Sequence, residues 1–322
     1  MALRSHASGW FMTERNKLRS AFGASLREYE PLAKHTTSRL GGPAEFLVVA
    51  DSAEVLAEQV RTARQLELPF FILGAGANVL ISDAGVRGLV IVNRAREMRI
   101  DDAGEAPSVR VESGATLSLL ARQCAARGLS GLEWAAGIPG TVGGAIYGNA
   151  GAHGSDIAAS LRLAEILQED GRVKRWETAE LAFGYRASAL KRARAAGQGG
   201  QVVLAAEFDL IRRDPVECLE RMDVYNAYRR RTQPPGASLG SMFKNPPGDY
   251  AGRLIEAAGL KGLKVGGAEI SPVHANFFLN TGEARASDVF ALIHQAHTAV
   301  KARFDIDLAL EVELVGEWGG QC

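Results

Sequence analysis

The stretch Gly137-Ile138-Pro139-Gly140-Thr141-Val142-Gly143-Gly144-Ala145, continued by Asn149-Ala150-Gly151-Ala152, decides the reading of this chain. Five of its first nine residues are glycine or proline, and seven glycines fall within residues 137–154. Where no Cβ intervenes, backbone amides can approach a ligand closely. A flexible linker would be polar, yet apolar Ile138, Val142 and Ile146 are interleaved here, and Thr141 adds a hydroxyl. These features favour a cradle of N–H groups for a phosphate or cofactor over a mere turn.

Working toward the N-terminus, a second glycine-spaced segment, Leu73-Gly74-Ala75-Gly76-Ala77-Asn78-Val79-Leu80, follows the apolar run Phe70–Leu73. It lacks the third glycine and the following helix of a Rossmann fingerprint. Read alone, it fits an ordinary strand-ending turn as well as a diphosphate loop. Around it, strands are expected at residues 45–50, 89–92 and 108–112. Helices are expected at 53–66, capped by Ser52, and at 115–127, stopped by Gly128.

Toward the C-terminus, strands are expected at 163–168, 173–176 and 202–210, with residues 191–201 a polar loop between the last two. A helix over 214–231 has Asp214 as cap and Pro215 in its first turn, and Pro234-Pro235-Gly236 closes it. Beyond lie a short helix at 251–258, a strand at 276–279, a long helix at 287–303 and a last strand at 308–315. The pattern is α+β. It divides into an N-terminal extension (1–24), a mixed front unit (25–212) and a smaller C-terminal unit (213–322).

The whole chain narrows the possibilities. Its 322 residues are 47% hydrophobic and 23% charged, which is globular, and the length suggests more than one packed unit. Lys plus Arg and Asp plus Glu both number 37, so nothing global steers the protein toward nucleic acid or an anionic membrane. Cys124, Cys218 and Cys322 lack metal-ligand spacing and read as reduced thiols, with no metal expected. No apolar run is long enough to span a bilayer. Residues 1–12 lack the apolar region of a signal peptide and read as a loose extension. A cytoplasmic protein is expected.

Three further segments carry chemistry. Phe183-Gly184-Tyr185-Arg186-Ala187-Ser188 offers an arginine, Gly240-Ser241-Met242-Phe243-Lys244-Asn245-Pro246 a serine and a lysine, and Leu308-Ala309-Leu310-Glu311-Val312-Glu313 two carboxylates. Taken singly, each has an ordinary reading: a surface ion pair, a turn hydroxyl, a solvated strand face with Glu311 and Glu313 side by side.

Taken together and in this order, they resemble the UDP-N-acetylenolpyruvoylglucosamine reductase (MurB) family over roughly residues 20–317. The entry segment, residues 35–44, resembles that family's opening motif. The resemblance implies an FAD-binding PCMH-type (vanillyl-alcohol-oxidase-like) two-part domain and a C-terminal MurB-type α+β substrate domain. FAD, bound tightly but not covalently, would be held by Gly74, Ala75, Gly76, Ala77, Asn78 and Val79, and by Gly137, Ile138, Pro139, Gly140, Thr141, Gly143, Gly144 and Ala145. It implies Arg186, Ser241 and Glu311 as catalytic residues. Tyr185, Lys244, Asn245 and Asn276 would face the nucleotide-sugar, while His274 is read as structural. NADPH would be the co-substrate and UDP-N-acetylenolpyruvoylglucosamine the partner, in a monomer that contacts neither nucleic acid nor membrane. The short connection after Arg186 matches the type II subtype. Ala77 stands where the family often has serine, and Leu310 where it commonly has proline. Two other readings stay open: an alcohol oxidase of the same flavin fold, for which His153 is the nearest candidate for covalent attachment, and a non-catalytic flavin-binding protein.

Overall fold

The computed structural model describes residues 15–318. The segment 1–12, expected to be a loose extension, and Cys322 lie outside the described residues. Three units follow one another along the chain. The first comprises α1 (residues 15–22), β1 (Arg27–Pro31), β2 (Pro43–Ala50), α2 (Ala53–Gln65), β3 (Phe70–Leu73), β4 (Val79–Ile81) and β5 (Val86–Asn93). Its sheet has the order β1-β2-β5-β3, with β2, β5 and β3 parallel and β1 antiparallel at the edge. Leu47, Val48, Leu89, Val90 and Ile91 are fully buried, as strands covered on both faces require. Leu18 of α1 and Leu56 and Val60 of α2 cover one face, so residues 15–22 belong to this core and not to an extension. Ser52 caps α2 as expected, its Oγ accepting the Val55 N–H at 3.2 Å.

The second unit comprises β6 (Met98–Asp101), β7 (Ser108–Glu112), α3 (Leu117–Ala125), β8 (Leu129–Ser130), α4 (Val142–Gly148), β9 (Gly151–Ala152), β10 (Ser155–Asp156), β11 (Leu161–Leu167), β12 (Val173–Glu177), α5 (Ala189–Ala195), β13 (Val202–Asp209), β14 (Ile211–Arg212) and α6 (Pro215–Thr232). Its main sheet is antiparallel in the order β12-β11-β13-β7-β6. Leu120, Val142, Ile146 and Phe208 are at the centre of its core. Two expectations are corrected. Part of the loop expected at 191–201 is helix α5, because Ser188 caps it and Leu190 is buried. Helix α6, assigned from sequence to the C-terminal unit, packs Cys218 and Met222 into this second core.

The third unit comprises β15 (Ala237–Ser241), α7 (Ala251–Ala257), β16 (Lys264–Val265), β17 (Ala268–Ile270), β18 (Phe277–Asn280), α8 (Ala286–Phe304) and β19 (Glu313–Val315). An antiparallel sheet, β15-β18-β17-β16, and the two helices close on Phe243, Leu254 and Leu292. The last strand is shorter than expected. Continuous pairing is confined to β19, which runs parallel to β4 of the first unit. Residues 308–312 are drawn off by the segment after β15: Lys244 N–H donates to Ala309 O (2.8 Å) and Glu311 N–H to Met242 O (2.9 Å). Glu311 therefore precedes the strand and does not share a strand face with Glu313.

Candidate active site

The two glycine loops meet between the first and second units. A Cβ on Gly74 would lie 2.5 Å from Thr141 Oγ1, so contact between the loops requires glycine there. Gly76 has φ +62°, and its Cβ would fall 2.4 Å from His35 O. At the head of α4, Thr141 Oγ1 accepts the Gly144 N–H (3.4 Å). The amides of Ile138, Gly143 and Ala145 are engaged within the protein, by Ala135 O, Ser113 O and Thr141 O. The loop's open face is at Gly140, where φ is +131° and an added Cβ meets nothing within 4 Å. A cleft of about 230 Å³ runs beside both loops, walled by Gly74, Ala75 and Thr141 and rimmed by Lys34, Arg94 and Arg96. Glycine backbone under a cationic rim fits the diphosphate of a flavin dinucleotide.

Arg186 stands at φ +53° in a turn held by Asn149, whose amide donates to Gly184 O and to Asp156 Oδ2, both at 3.0 Å. Its Nη2 donates to Gly151 O (3.0 Å), which aims the guanidinium along the glycine-rich stretch. Its Nε lies 2.7 Å from Glu311 Oε1, and the two side chains are 25% and 16% exposed. Among the described residues no acceptor lies in line with that Nε, so this is a close charge contact and not an aligned hydrogen bond. Burial pushes the Glu311 carboxyl up, against the downward pull of Arg186, Lys191 and Lys244.

Ser241 ends β15, one residue before the carbonyl that takes the Glu311 amide. Asn78 of the first glycine loop donates its side-chain amide to Glu311 O (3.0 Å), and its own carbonyl accepts the Glu313 N–H (3.0 Å). Tyr185, 58% exposed, accepts the Asn245 N–H on its hydroxyl at 3.3 Å. Asn276 is 2% exposed, and its amide is engaged at both ends by the Phe243 backbone (2.9 and 2.8 Å). It therefore fastens the Ser241–Lys244 segment and does not face the cleft as expected. His274 also turns inward, its Nδ1 accepting the Asn276 N–H (3.2 Å), as the structural reading of it requires.

Three features escaped the sequence reading. His153 stacks on Tyr225 of α6 with ring centroids 4.1 Å apart. Arg229 of α6 lies against Gly137, and burial pulls its guanidinium down. The only trace of it in sequence was the run Arg229-Arg230-Arg231, read as a helix end. Lys191 pairs with Glu313 at 3.1 Å beside the Arg186–Glu311 pair. Among the described residues no cluster of His, Cys, Asp or Glu has the arrangement of a metal site, and no helix is long and apolar enough to cross a membrane.

Comparison with known proteins identifies the fold and the family. A family profile described as FAD binding domain matches residues 44–177. The paired glycine loops and the added third unit define a flavoprotein with a two-lobed FAD-binding domain and a separate C-terminal domain. Residues 232–315 match a profile described as UDP-N-acetylenolpyruvoylglucosamine reductase, C-terminal domain. The UDP-N-acetylenolpyruvoylglucosamine reductase of Chloroflexus aggregans is 44% identical over 301 residues, covering 92% of this chain and 100% of the relative. That of Bacillus subtilis is 41% identical over 288 residues, covering 89% and 93%. The crystal structure of the Thermus caldophilus UDP-N-acetylenolpyruvylglucosamine reductase (MurB) superposes with a TM-score of 0.76 at 38% identity, covering 90% of this chain and 100% of that one. The chain belongs to the UDP-N-acetylenolpyruvoylglucosamine reductase family.

Proposed function

We propose that the protein reduces the enolpyruvyl ether of UDP-N-acetylglucosamine to UDP-N-acetylmuramate, with NADPH as reductant, in cytoplasmic peptidoglycan precursor synthesis. The observation that carries this reading is the meeting of Arg186, Glu311 and the Ser241 segment against the loop of Asn78. Bound FAD would supply the hydride chemistry between NADPH and the terminal vinyl carbon of the substrate.

The residues of this chain handle the charge that results. Hydride addition leaves an electron pair on the carbon beside the carboxylate, delocalised onto its oxygens as an enolate. The planar guanidinium of Arg186 suits two carboxylate oxygens, which a lysine would hold less well. Burial pushes the Glu311 carboxyl up toward its protonated form, and in that form it would donate a hydrogen bond to the same oxygens. A serine hydroxyl is a weak acid, yet the carbon is basic enough to take the proton of Ser241 Oγ, which Lys244 or water replaces. Tyr185, Lys244 and Asn245 line the approach of the nucleotide-sugar, and Asn276 acts through the Phe243 backbone. Gly74 to Asn78, with Gly140 and Thr141, would hold the flavin diphosphate.

An anaerobic visible spectrum tests the reading. The flavin band should bleach with NADPH and return when the enolpyruvyl substrate is added. A protein that cannot be loaded with FAD overturns the reading. One reoxidised by oxygen but not by the substrate is an oxidase instead.

A further inference from the structure

A second ion pair runs beside the first. Lys191 Nζ lies 3.1 Å from Glu313 Oε1, with side chains 18% and 26% exposed. Arg186 and Lys191 flank Ser188, whose Oγ accepts the Lys191 N–H (3.1 Å) and donates to Tyr147 O (2.7 Å). Glu311 and Glu313 flank Val312 in a segment tied at both residues to Asn78. Two segments, one from the second unit and one from residues 311–313, are thus bridged twice, cation to carboxyl group each time.

The two carboxylates have different tasks. On the reading above, Glu311 must hold a proton, whereas Glu313 needs only to be an anion. The cations acting on Glu311 are Arg186, Lys191 and Lys244, each pulling its carboxyl down. Arg186 is fixed by Gly151 O, and the Lys244 backbone by Ala309 O. Lys191 is the cation with a competing partner. Its Nζ also lies 5.8 Å from the centroid of the Tyr147 ring. Burial, with the charge of Glu313 added, pushes that phenol up to about 12, so it stays neutral over any working pH.

We infer that Glu313 is a positioning residue: it detains Lys191, so that this lysine does not pair with Glu311 and Glu311 is left free to serve as a hydrogen-bond donor. In this arrangement removing Glu313 releases a cation toward Glu311. Removing Lys191 leaves an uncompensated anion beside it. Removing both restores the original charge. A fastening role alone would make the double variant no better than either single one.

The inference rests on the proposed role of Glu311, and its test separates the two. The holoenzyme is labelled with ¹³C at the glutamate carboxyl carbon, and the Glu311 signal is assigned by its loss in Glu311→Gln. Retained FAD absorbance reports that each variant folds. In Glu313→Gln the Glu311 titration should move to lower pH by about one unit, the scale of a cation brought within a few ångströms. In Lys191→Met it should move upward, and in the double variant it should return near the wild-type value. The basic limb of kcat/KM should move with it. An unchanged Glu311 titration in both single variants overturns the inference, as does a double variant that fails to return. The NMR titration needs no turnover, so an enzyme inactive on the enolpyruvyl substrate would sink the proposed function and leave this result standing.

Discussion

Ser241 makes the sharpest single-residue prediction because its task is confined to one half of the reaction. In Ser241→Ala, NADPH should still bleach the flavin, while reoxidation by substrate should slow by about 10²–10⁴-fold, the usual contribution of a positioned proton donor. Stopped-flow traces of the two halves check this, and equal slowing of both would refute the role. Glu311 predicts a pH effect with a definite sign. Its folded pKa is raised by burial, so the protonated form, and activity with it, is present below that value and lost as pH rises through it. Stability follows the same sign: the contribution of Glu311 is full below the unfolded value of about 4.3 and is lost as pH rises through the folded one. Glu311→Gln keeps a donor that does not titrate, so its basic limb should flatten. The segments holding Arg186, Ser241 and Glu311 stood out through their joint order along the chain, and the structure brings Arg186 Nε within 2.7 Å of Glu311 Oε1. The engagement of Asn276, the burial of Arg229 and the Lys191–Glu313 pair were not legible, because each arises from a partner far away in sequence.

At the scale of elements, the glycine loops were readable and the contact between them was not. Gly74 is needed for contact with Thr141, a relation between residues 67 positions apart that no local pattern encodes. In Gly74→Ala the added Cβ, 2.5 Å from Thr141 Oγ1, should push the loops apart. The purified protein should then carry less FAD per chain, measured as the ratio of flavin to protein absorbance. Full FAD occupancy at wild-type affinity would show that the loops do not need to touch. Helix α5 and the last strand were misjudged for opposite reasons. The first was hidden by a polar, glycine-containing surface sequence but is seeded by the Ser188 cap. The second has an alternating strand pattern from residue 308 to 315, yet the Met242 and Ala309 carbonyls draw its first half into a bridge with Phe243. Competition between two partners for one backbone is settled in three dimensions, not in the periodicity.

At the scale of the molecule, the three units are joined by a few polar contacts whose loss should be felt at a distance. Thr37 Oγ1 donates to Ser238 O (2.8 Å), and Asn280 donates to Ser38 O (3.0 Å). The most economical contact is Asp83, after β4, whose two carboxylate oxygens accept the Ala286 and Ser287 N–H groups at 2.8 and 3.0 Å. The first unit thus supplies a cap to the helix N-terminus of the third, where orphan amides and the helix dipole both favour an anion. Burial pushes the Asp83 carboxyl up, but the hydrogen bonds from Ser287 and from the Ala286 amide outweigh it and hold the group below the usual range. The sign is therefore opposite to that of Glu311: the stability supplied by Asp83 is full above the unfolded value of about 3.9 and is lost as pH falls through the folded one. Asp83→Ala should lower stability by about 1 kcal/mol at neutral pH, the usual worth of a cap. The gap from wild type should close in acid. Because several cores can unfold separately, the quantity to compare is the denaturant midpoint of the third unit at fixed FAD loading, since bound ligand shifts every midpoint. Asp83→Asn keeps an acceptor oxygen without the charge and should fall between the two. Equal midpoints for all three proteins at neutral pH would mean that the interface is held by its apolar contacts, with Leu40 and Leu80 of the first unit buried in the third core, and that the cap only orients α8.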